Sequence, residues 1–262
     1  MVIRRIRDHV TAQNWFAVGI DFLIVVAGIV IGTQVNNWNQ ARIEALQGRD
    51  YRARLIGELD FDARQYALQA AYYRQAKEYG LQALADLSGK EPLSDRDFLV
   101  AAYQLTQTDT TKAKSYVYDE MSANGLVDHL GDEEMQQLAS DFYISLEVAQ
   151  RSLESIFPYR TMLREVMPYD IQIRIRSECG DRNVFYMGRL IGITTVVPCR
   201  MVIDPAEAAE ASRIVRATPG IERQMTRYVA SMDEKLENLS VAHEQSKEFR
   251  DRLVRASRRP ST

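Results

Sequence analysis

Few residues in this chain have the types and spacing that catalysis or metal binding requires. The three histidines, His9, His129 and His243, are far apart and match no metal-ligand spacing. The sequence has no nucleophile-elbow serine motif, no phosphate-binding glycine loop and no HExxH zinc motif. We therefore predict that the protein is not an enzyme and that it binds no cofactor and no metal.

Two carboxylates have the spacing of a catalytic pair. Glu58 and Asp62 lie one turn apart on a predicted helix, and Arg54 precedes Glu58 by one more turn. Because charged residues four positions apart pair along a helix surface, we interpret this group as a solvated ion-pair face. The thirteen tyrosines fit the edge of a core better than a ligand cleft, since their rings are apolar and their hydroxyls are polar.

The two cysteines, Cys179 and Cys199, are twenty residues apart. In an oxidising compartment they can form one disulfide, and the alternative is a pair of buried, unpaired thiols. A zinc site is disfavoured because neither a second cysteine pair nor a nearby histidine supplies the remaining ligands.

An apolar run near the N-terminus is long enough to cross a bilayer. It extends over 21 residues, from Trp15 to Val35, and contains one ionisable residue, Asp21. Trp15 and Trp38, the only two tryptophans, bracket the run at the depth where indole rings favour the membrane interface. We therefore predict a transmembrane anchor and a lipid bilayer as one partner. The net charge of −3 argues against nucleic acid as another.

The run could instead be a cleaved signal peptide. It is longer than a usual signal core, and no small-x-small site follows it, so an uncleaved signal anchor is the better interpretation. Arg4, Arg5 and Arg7 precede the span, whereas the basic residues after it are more distant and mixed with acidic ones. We therefore predict that the N-terminus is cytoplasmic and that the main domain lies on the other side.

One face of the predicted span carries small and polar residues. Asp21, Gly28, Gly32 and Asn36 recur at intervals of four or seven and share that face. Gly28 and Gly32 form a G-x-x-x-G pair, which allows a second helix to approach closely. One interpretation is that this face packs against another protein or a second copy of the chain. The alternative is that the two glycines are there only because glycine is common in membrane helices, and that Asp21 reaches the lipid headgroups.

The polar residues at the exit of the span are more numerous than interfacial anchoring requires. Gln34, Asn37, Trp38 and Asn39 offer three amides and one indole at the membrane interface. These groups can bond to lipid headgroups or to a partner helix. The surplus of amides favours contact with a protein partner.

The residue pattern in the rest of the chain predicts a mainly α fold. Apolar residues at helical spacing predict a long amphipathic helix from 38 to 87 and another of about 38 residues after Pro219. Ser94, Asp132 and Asp204 have the sequence context of helix N-caps. Two helices of this length predict an antiparallel bundle, with a parallel coiled-coil dimer as the alternative.

The segment 169–203 differs from its surroundings. Ile171, Ile173 and Ile175 alternate with polar residues, which predicts a strand, and a second short strand is expected near Thr194–Val197. We therefore divide the chain into a cytoplasmic tail (1–14), a transmembrane anchor helix (15–37), a first helical part (38–168), a loop or β-hairpin-like insertion (169–203) and a second helical part with the long C-terminal helix (204–262).

Two stretches resemble an uncharacterised bacterial family of single-span membrane proteins. Residues 21–40 read DFLIVVAGIVIGTQVNNWNQ and resemble that family's acidic residue, apolar span and Q-I-N-N-W-N-E exit. Residues 115–126, SYVYDEMSANGL, resemble its Y-x-E-L-x-x-S-G-x-L segment. The chain departs from the pattern with Asp21 for Glu, Gln40 for Glu and Thr33 at an apolar position.

The resemblance implies a mostly helical protein of the bacterial inner membrane, with a periplasmic main domain, and supplies no catalytic residues. Together with the residue patterns it predicts a non-enzymatic, membrane-anchored scaffold that binds a protein partner or forms a homo-oligomer. The alternative function is a periplasmic sensory or small-ligand-binding module with its site near the insertion at 169–203.

Overall fold

A computed structural model describes residues 15–155 and 157–258, and this part of the chain is mainly helical with one small two-stranded sheet. The predicted tail, residues 1–14 with its arginines, lies outside the described residues. The elements in chain order are α1 (Trp15–Leu87), α2 (Asp95–Leu105), α3 (Tyr116–Ala123), a short 3₁₀ helix (Val127–Leu130), α4 (Glu133–Glu154), α5 (Pro158–Val166), α6 (Tyr169–Cys179), β1 (Asp181–Tyr186), β2 (Arg189–Thr195), α7 (Pro205–Arg216) and α8 (Ile221–Arg258).

The chain divides into two compact units, residues 1–50 and 51–262. Helix α1 begins in the first unit and ends in the second. The second unit has a hydrophobic core to which each of its helices contributes buried side chains. The predicted fold class, a mainly α bundle of long helices with a small β insertion, is confirmed.

The helix N-caps predicted from the sequence are present. Ser94 Oγ accepts a hydrogen bond from Asp97 N, Asp132 caps α4 through Met135 N, and Asp204 caps α7. Each cap satisfies backbone N–H groups that have no partner inside the first helical turn. Local sequence therefore sets where these helices begin.

Helices α1 and α8 pack antiparallel within the second unit. Asp60 of α1 pairs with Arg250 near the end of α8, whereas Lys77, later in α1, pairs with Asp233, earlier in α8. Gly80 permits close approach farther along: a Cβ placed there would meet Val229 Cγ2 of α8 at 2.6 Å. Gly80 interrupts the seven-residue apolar repeat that a coiled coil needs. It is a glycine because the close packing leaves no space for a side chain at this position.

Helix α8 is also antiparallel to α4. Glu134 at the start of α4 pairs with Arg252 near the end of α8, and the Phe142 and Phe249 ring centroids are 5.6 Å apart. At the other end of α4, Lys235 Nζ donates to the Ser152 carbonyl over 2.8 Å. The long C-terminal helix therefore contacts α1 and α4 along most of its length.

The predicted strand at 171–175 is wrong, because these residues belong to α6. Ile171, Ile175 and Cys179 are fully buried while Ile173 is 38% exposed, so the buried side chains recur every four residues. In a segment of five residues, a strand pattern places apolar residues at positions 1, 3 and 5, and a helical pattern places them at positions 1 and 5. Two of the three positions are therefore the same in both patterns, which explains why a strand was predicted here.

The sheet is a hairpin formed by β1 and β2, between residues 181 and 195. Its two-residue turn, Met187-Gly188, has positive φ at both positions, as right-handed strand twist favours. Cys179 and Cys199 form a disulfide, with Cα atoms 5.0 Å apart, that joins the ends of the segment containing the hairpin.

Candidate functional site

The residues predicted to form a membrane packing face lie along α1 in the first unit. Asp21, Gly28, Gly32 and Asn36 are all exposed, and a Cβ placed at either glycine would meet no atom within 4 Å. The surrounding side chains are large, apolar and exposed, with Phe22 at 69%. An 18-residue window of this helix has a mean hydropathy of 1.7, which is compatible with a membrane anchor or a signal sequence.

The predicted interfacial residues follow on the same helix. Gln34, Asn37, Trp38 and Asn39 are exposed, and Trp38 exposes 67% of its surface. The helix continues through these residues without a break, so Gln34, Asn37 and Trp38, at positions i, i+3 and i+4, share one face, and Asn39 lies about 100° from Trp38 around the helix axis.

A second group of polar residues, which the sequence did not single out as a set, lies along α1 in the second unit. It binds the backbone of residues 106–115, here called the strap, and the first turn of α3. Its members, here called the ladder, are 0–8% exposed and recur every three or four residues: Glu58, Asp62, Gln65, Gln69 and Tyr73.

Each ladder residue forms hydrogen bonds with backbone groups of the strap or of the first turn of α3. Glu58 accepts from Val117 N and Asp62 from Lys114 N, both over 3.2 Å. Gln65 and Gln69 both donate to the Thr111 carbonyl over 3.0 and 2.9 Å. Within the part of the chain that the structure describes, residues 107–115 of the strap belong to no helix or strand, so these side chains supply hydrogen-bond partners for its backbone.

Tyr73 completes the ladder at Asp109. Its hydroxyl donates to the Asp109 carbonyl over 2.8 Å and accepts from Asp109 N over 3.1 Å. The Asp109 carboxylate in turn accepts from Thr111 N and from Ile193 N of the hairpin. Asp109 therefore connects three elements: α1, the strap and the hairpin.

The expectation that Glu58 and Asp62 form a solvated face is wrong. Asp62 is fully buried, and burial raises its pKa to about 8, outweighing the bond from Lys114 N, which lowers it. Burial also raises the pKa of Glu58. Asp62 is therefore mostly protonated at neutral pH. Arg54 instead pairs with Glu120 of α3.

Four ladder residues each keep one buried oxygen without a hydrogen-bond partner: Glu58 Oε1, Asp62 Oδ2, Gln65 Oε1 and Gln69 Oε1. Glu58 precedes Asp62 by one turn on the same face, and after burial its charge also raises the pKa of Asp62.

Two cations flank this pair. Lys114 Nζ and Arg189 Cζ each lie 4.4 Å from the centroid of the Phe61 ring. The pKa of Lys114 is lowered by burial and by the charge of Arg189. The positive charges of both residues lower the pKa of Asp62, but the effect of its burial is larger.

A groove of about 560 Å³ lies between the strap, α3 and α4. Tyr118 and Tyr143 stack in its wall, with ring centroids 4.0 Å apart and 15° between the planes. The Tyr143 hydroxyl is buried without a partner, and burial together with the charge of Glu58 raises its pKa. Glu58 and Asp62 do not line this groove; their carboxyl groups accept from backbone N–H groups of α3 and of the strap.

Comparisons with known proteins found no protein-family model, no curated protein and no solved structure that matches this chain.

Proposed function

We propose that this protein is a non-enzymatic, membrane-anchored interaction protein whose N-terminal helix spans the bilayer and packs against another helix. One observation carries the proposal: around Gly28 and Gly32, α1 presents an apolar surface on which no side chain of the described residues packs. A continuous exposed apolar surface of this kind is unfavourable in water and favourable against lipid or a partner helix.

The proposed orientation places the N-terminus in the cytoplasm and the second unit in the periplasm. The Cys179–Cys199 disulfide supports it, because such bonds persist in oxidising compartments. Lys90 and Lys112 are exposed in the second unit. A membrane-impermeant amine reagent added to intact spheroplasts is expected to modify both lysines. Modification that requires lysis would reverse the orientation.

Crosslinking in intact membranes, followed by mass spectrometry, tests the packing face. Gly28→Leu places a bulky side chain on the proposed face and is expected to reduce crosslinked species severalfold, since close helix approach needs small residues. Asn37→Ala is expected to reduce them as well, by removing an amide at the exit of the span.

Gly19→Leu is the matched control. Gly19 is another exposed glycine of α1, and nine residues at 100° each place it opposite Gly28. It is expected to crosslink like the wild type. Equal crosslinking in all variants would contradict the packing face, and links only between copies of this chain would identify the partner as a second copy.

A further inference from the structure

A pocket of about 440 Å³ lies in the second unit beside the first turn of α5. Its wall is formed by the strap, the end of α4, the start of α5 and one residue of α8, Tyr228. This volume is within the range of small-molecule sites. The pocket lies outside residues 169–203, where the sequence suggested a ligand site.

The first turn of α5 has a positive electrostatic potential that no acidic side chain of that turn neutralises. Its N-cap residue, Phe157, makes no side-chain cap, Pro158 follows, and no acidic residue is present in the first turn. Pro158 has no N–H, and Arg160 N donates to the Phe157 carbonyl over 3.3 Å, so it is the helix dipole that favours negative charge at this end. Alone, this feature is common to many helices and identifies no site.

Tyr228 provides an independent observation. It is 1% exposed, yet its hydroxyl makes no hydrogen bond within the part of the chain that the structure describes. The side chain lines the pocket, and its hydroxyl is not sealed inside the core. The ring is held against Phe157 and Tyr159, with centroids 5.4 and 5.8 Å away. The Tyr228 hydroxyl is therefore a buried hydrogen-bond donor in a fixed position that has no acceptor among the described residues.

Arg160 adds a cation to the same wall. Its guanidinium donates to the Thr106 carbonyl, and no ion pair of Arg160 is found among the described residues. Arg164, one turn later, donates to neutral oxygens of Thr106 and Gln107. Burial raises the pKa of Tyr228 to about 12 although both arginines lower it, so the hydroxyl stays a donor at neutral pH.

The acidic side chain that lines the pocket is already paired. Glu154 forms an ion pair with Lys112 at 2.9 Å. The last carbonyls of α4, which would repel an anion, accept hydrogen bonds from Lys235. The ionisable side chains that line the pocket, besides Tyr228, are Lys112, Arg160 and Glu154, so the net charge of its wall is positive.

We propose that this pocket binds a small molecule carrying an oxyanion, a phosphate or a carboxylate, held by Arg160 and the Tyr228 hydroxyl at the positive end of the α5 dipole. The proposal does not depend on the membrane packing face. It gives small-ligand binding a defined location, at the start of α5.

Isothermal titration of the full-length protein in detergent micelles tests it, with inorganic phosphate and acetate titrated separately at constant ionic strength. At least one anion is expected to bind, and the one that binds more tightly identifies the ligand class. Tyr228→Phe keeps the ring packing and is expected to weaken binding about tenfold, and Arg160→Gln by roughly 10- to 100-fold, because hydrogen bonds to charged groups are the stronger ones.

Arg151→Gln is the control, since Arg151 is an exposed arginine of α4 that does not line this pocket. It is expected to bind like the wild type. Melting curves of each variant check that the fold is retained. Two results would overturn the proposal: no binding of either anion to the wild type up to about 10 mM, which is weaker than a useful site, or undiminished binding by Tyr228→Phe and Arg160→Gln.

Discussion

The ionisation of the buried Asp62 makes the stability of the protein depend on pH. Its pKa is about 8 in the folded protein and 3.8 when exposed, so between these values the folded chain keeps a proton that the unfolded chain loses. The free energy of unfolding therefore falls as the pH rises from 4 to 8. Asp62→Asn keeps an acceptor for Lys114 N and needs no proton. We expect it to stabilise the protein by roughly 2–4 kcal/mol at pH 7, measured by chemical denaturation.

Asp141→Asn is the control for this measurement, because Asp141 is an exposed carboxylate of α4. It should leave the pH dependence of unfolding as in the wild type, whereas Asp62→Asn should flatten it between pH 5 and about 8. If the slope persists in Asp62→Asn, Asp62 is not the group that keeps its proton.

Lys235 of α8 caps the C-terminal end of another helix, α4. It is 1% exposed, and its ammonium group donates to the carbonyls of Ser152 and Leu153 at the end of α4. Lys235→Ala leaves two buried carbonyls unpaired and a cavity, so we expect it to lower the free energy of unfolding by roughly 2–4 kcal/mol. Lys235→Met fills the space and should cost less. Equal stability of Lys235→Met and the wild type would mean that the two bonds contribute nothing.

At the scale of elements, the hairpin depends on connections from outside its own strands. Tyr72 donates to Asp181 at the start of β1, Asp109 accepts from Ile193 in β2, and the disulfide closes the base. Replacing both cysteines by serine should destabilise the protein by about 3 kcal/mol, as closure of a loop of this length predicts. Hydrogen exchange should speed up in residues 181–195 and stay slow in α8. Uniform acceleration would show that the disulfide supports the whole fold.

The helices that sequence alone predicted are those with local signals. Ser94, Asp132 and Asp204 carry their caps within three residues, and Gly89 and Gly125 follow helices with positive φ. These features depend on neighbours in the chain.

The ladder could not be predicted in the same way. Glu58 and Asp62 read as surface residues because the charge pattern of a helix does not show which face a distant loop covers. The one available signal was the alignment of Glu58, Asp62, Gln65, Gln69 and Tyr73 on one face, polar yet as regular as a core stripe. Its meaning depends on the strap, about 45 residues later in the chain.

At the scale of the whole molecule, the second unit contains its own core, which begins with Tyr51, Leu55 and Leu59 of α1. We therefore expect a fragment of residues 51–262 to stay soluble without detergent, because it lacks the apolar window of α1. It should unfold cooperatively, within about 2 °C of the full-length chain.

A second fragment, residues 66–262, shows whether the ladder is needed. It lacks Leu55 and Leu59, both fully buried, so the core loses two leucines. It also lacks Glu58, Asp62 and Gln65, so the strap loses two side-chain partners and the first turn of α3 loses one. Each buried leucine contributes about 2–5 kcal/mol, comparable with the stability of a whole domain, so this fragment should not unfold cooperatively. If it melts like residues 51–262, the turns of α1 between residues 51 and 65 are not needed for the fold of the second unit. If residues 51–262 themselves fail to fold, the first fifty residues contribute to the core.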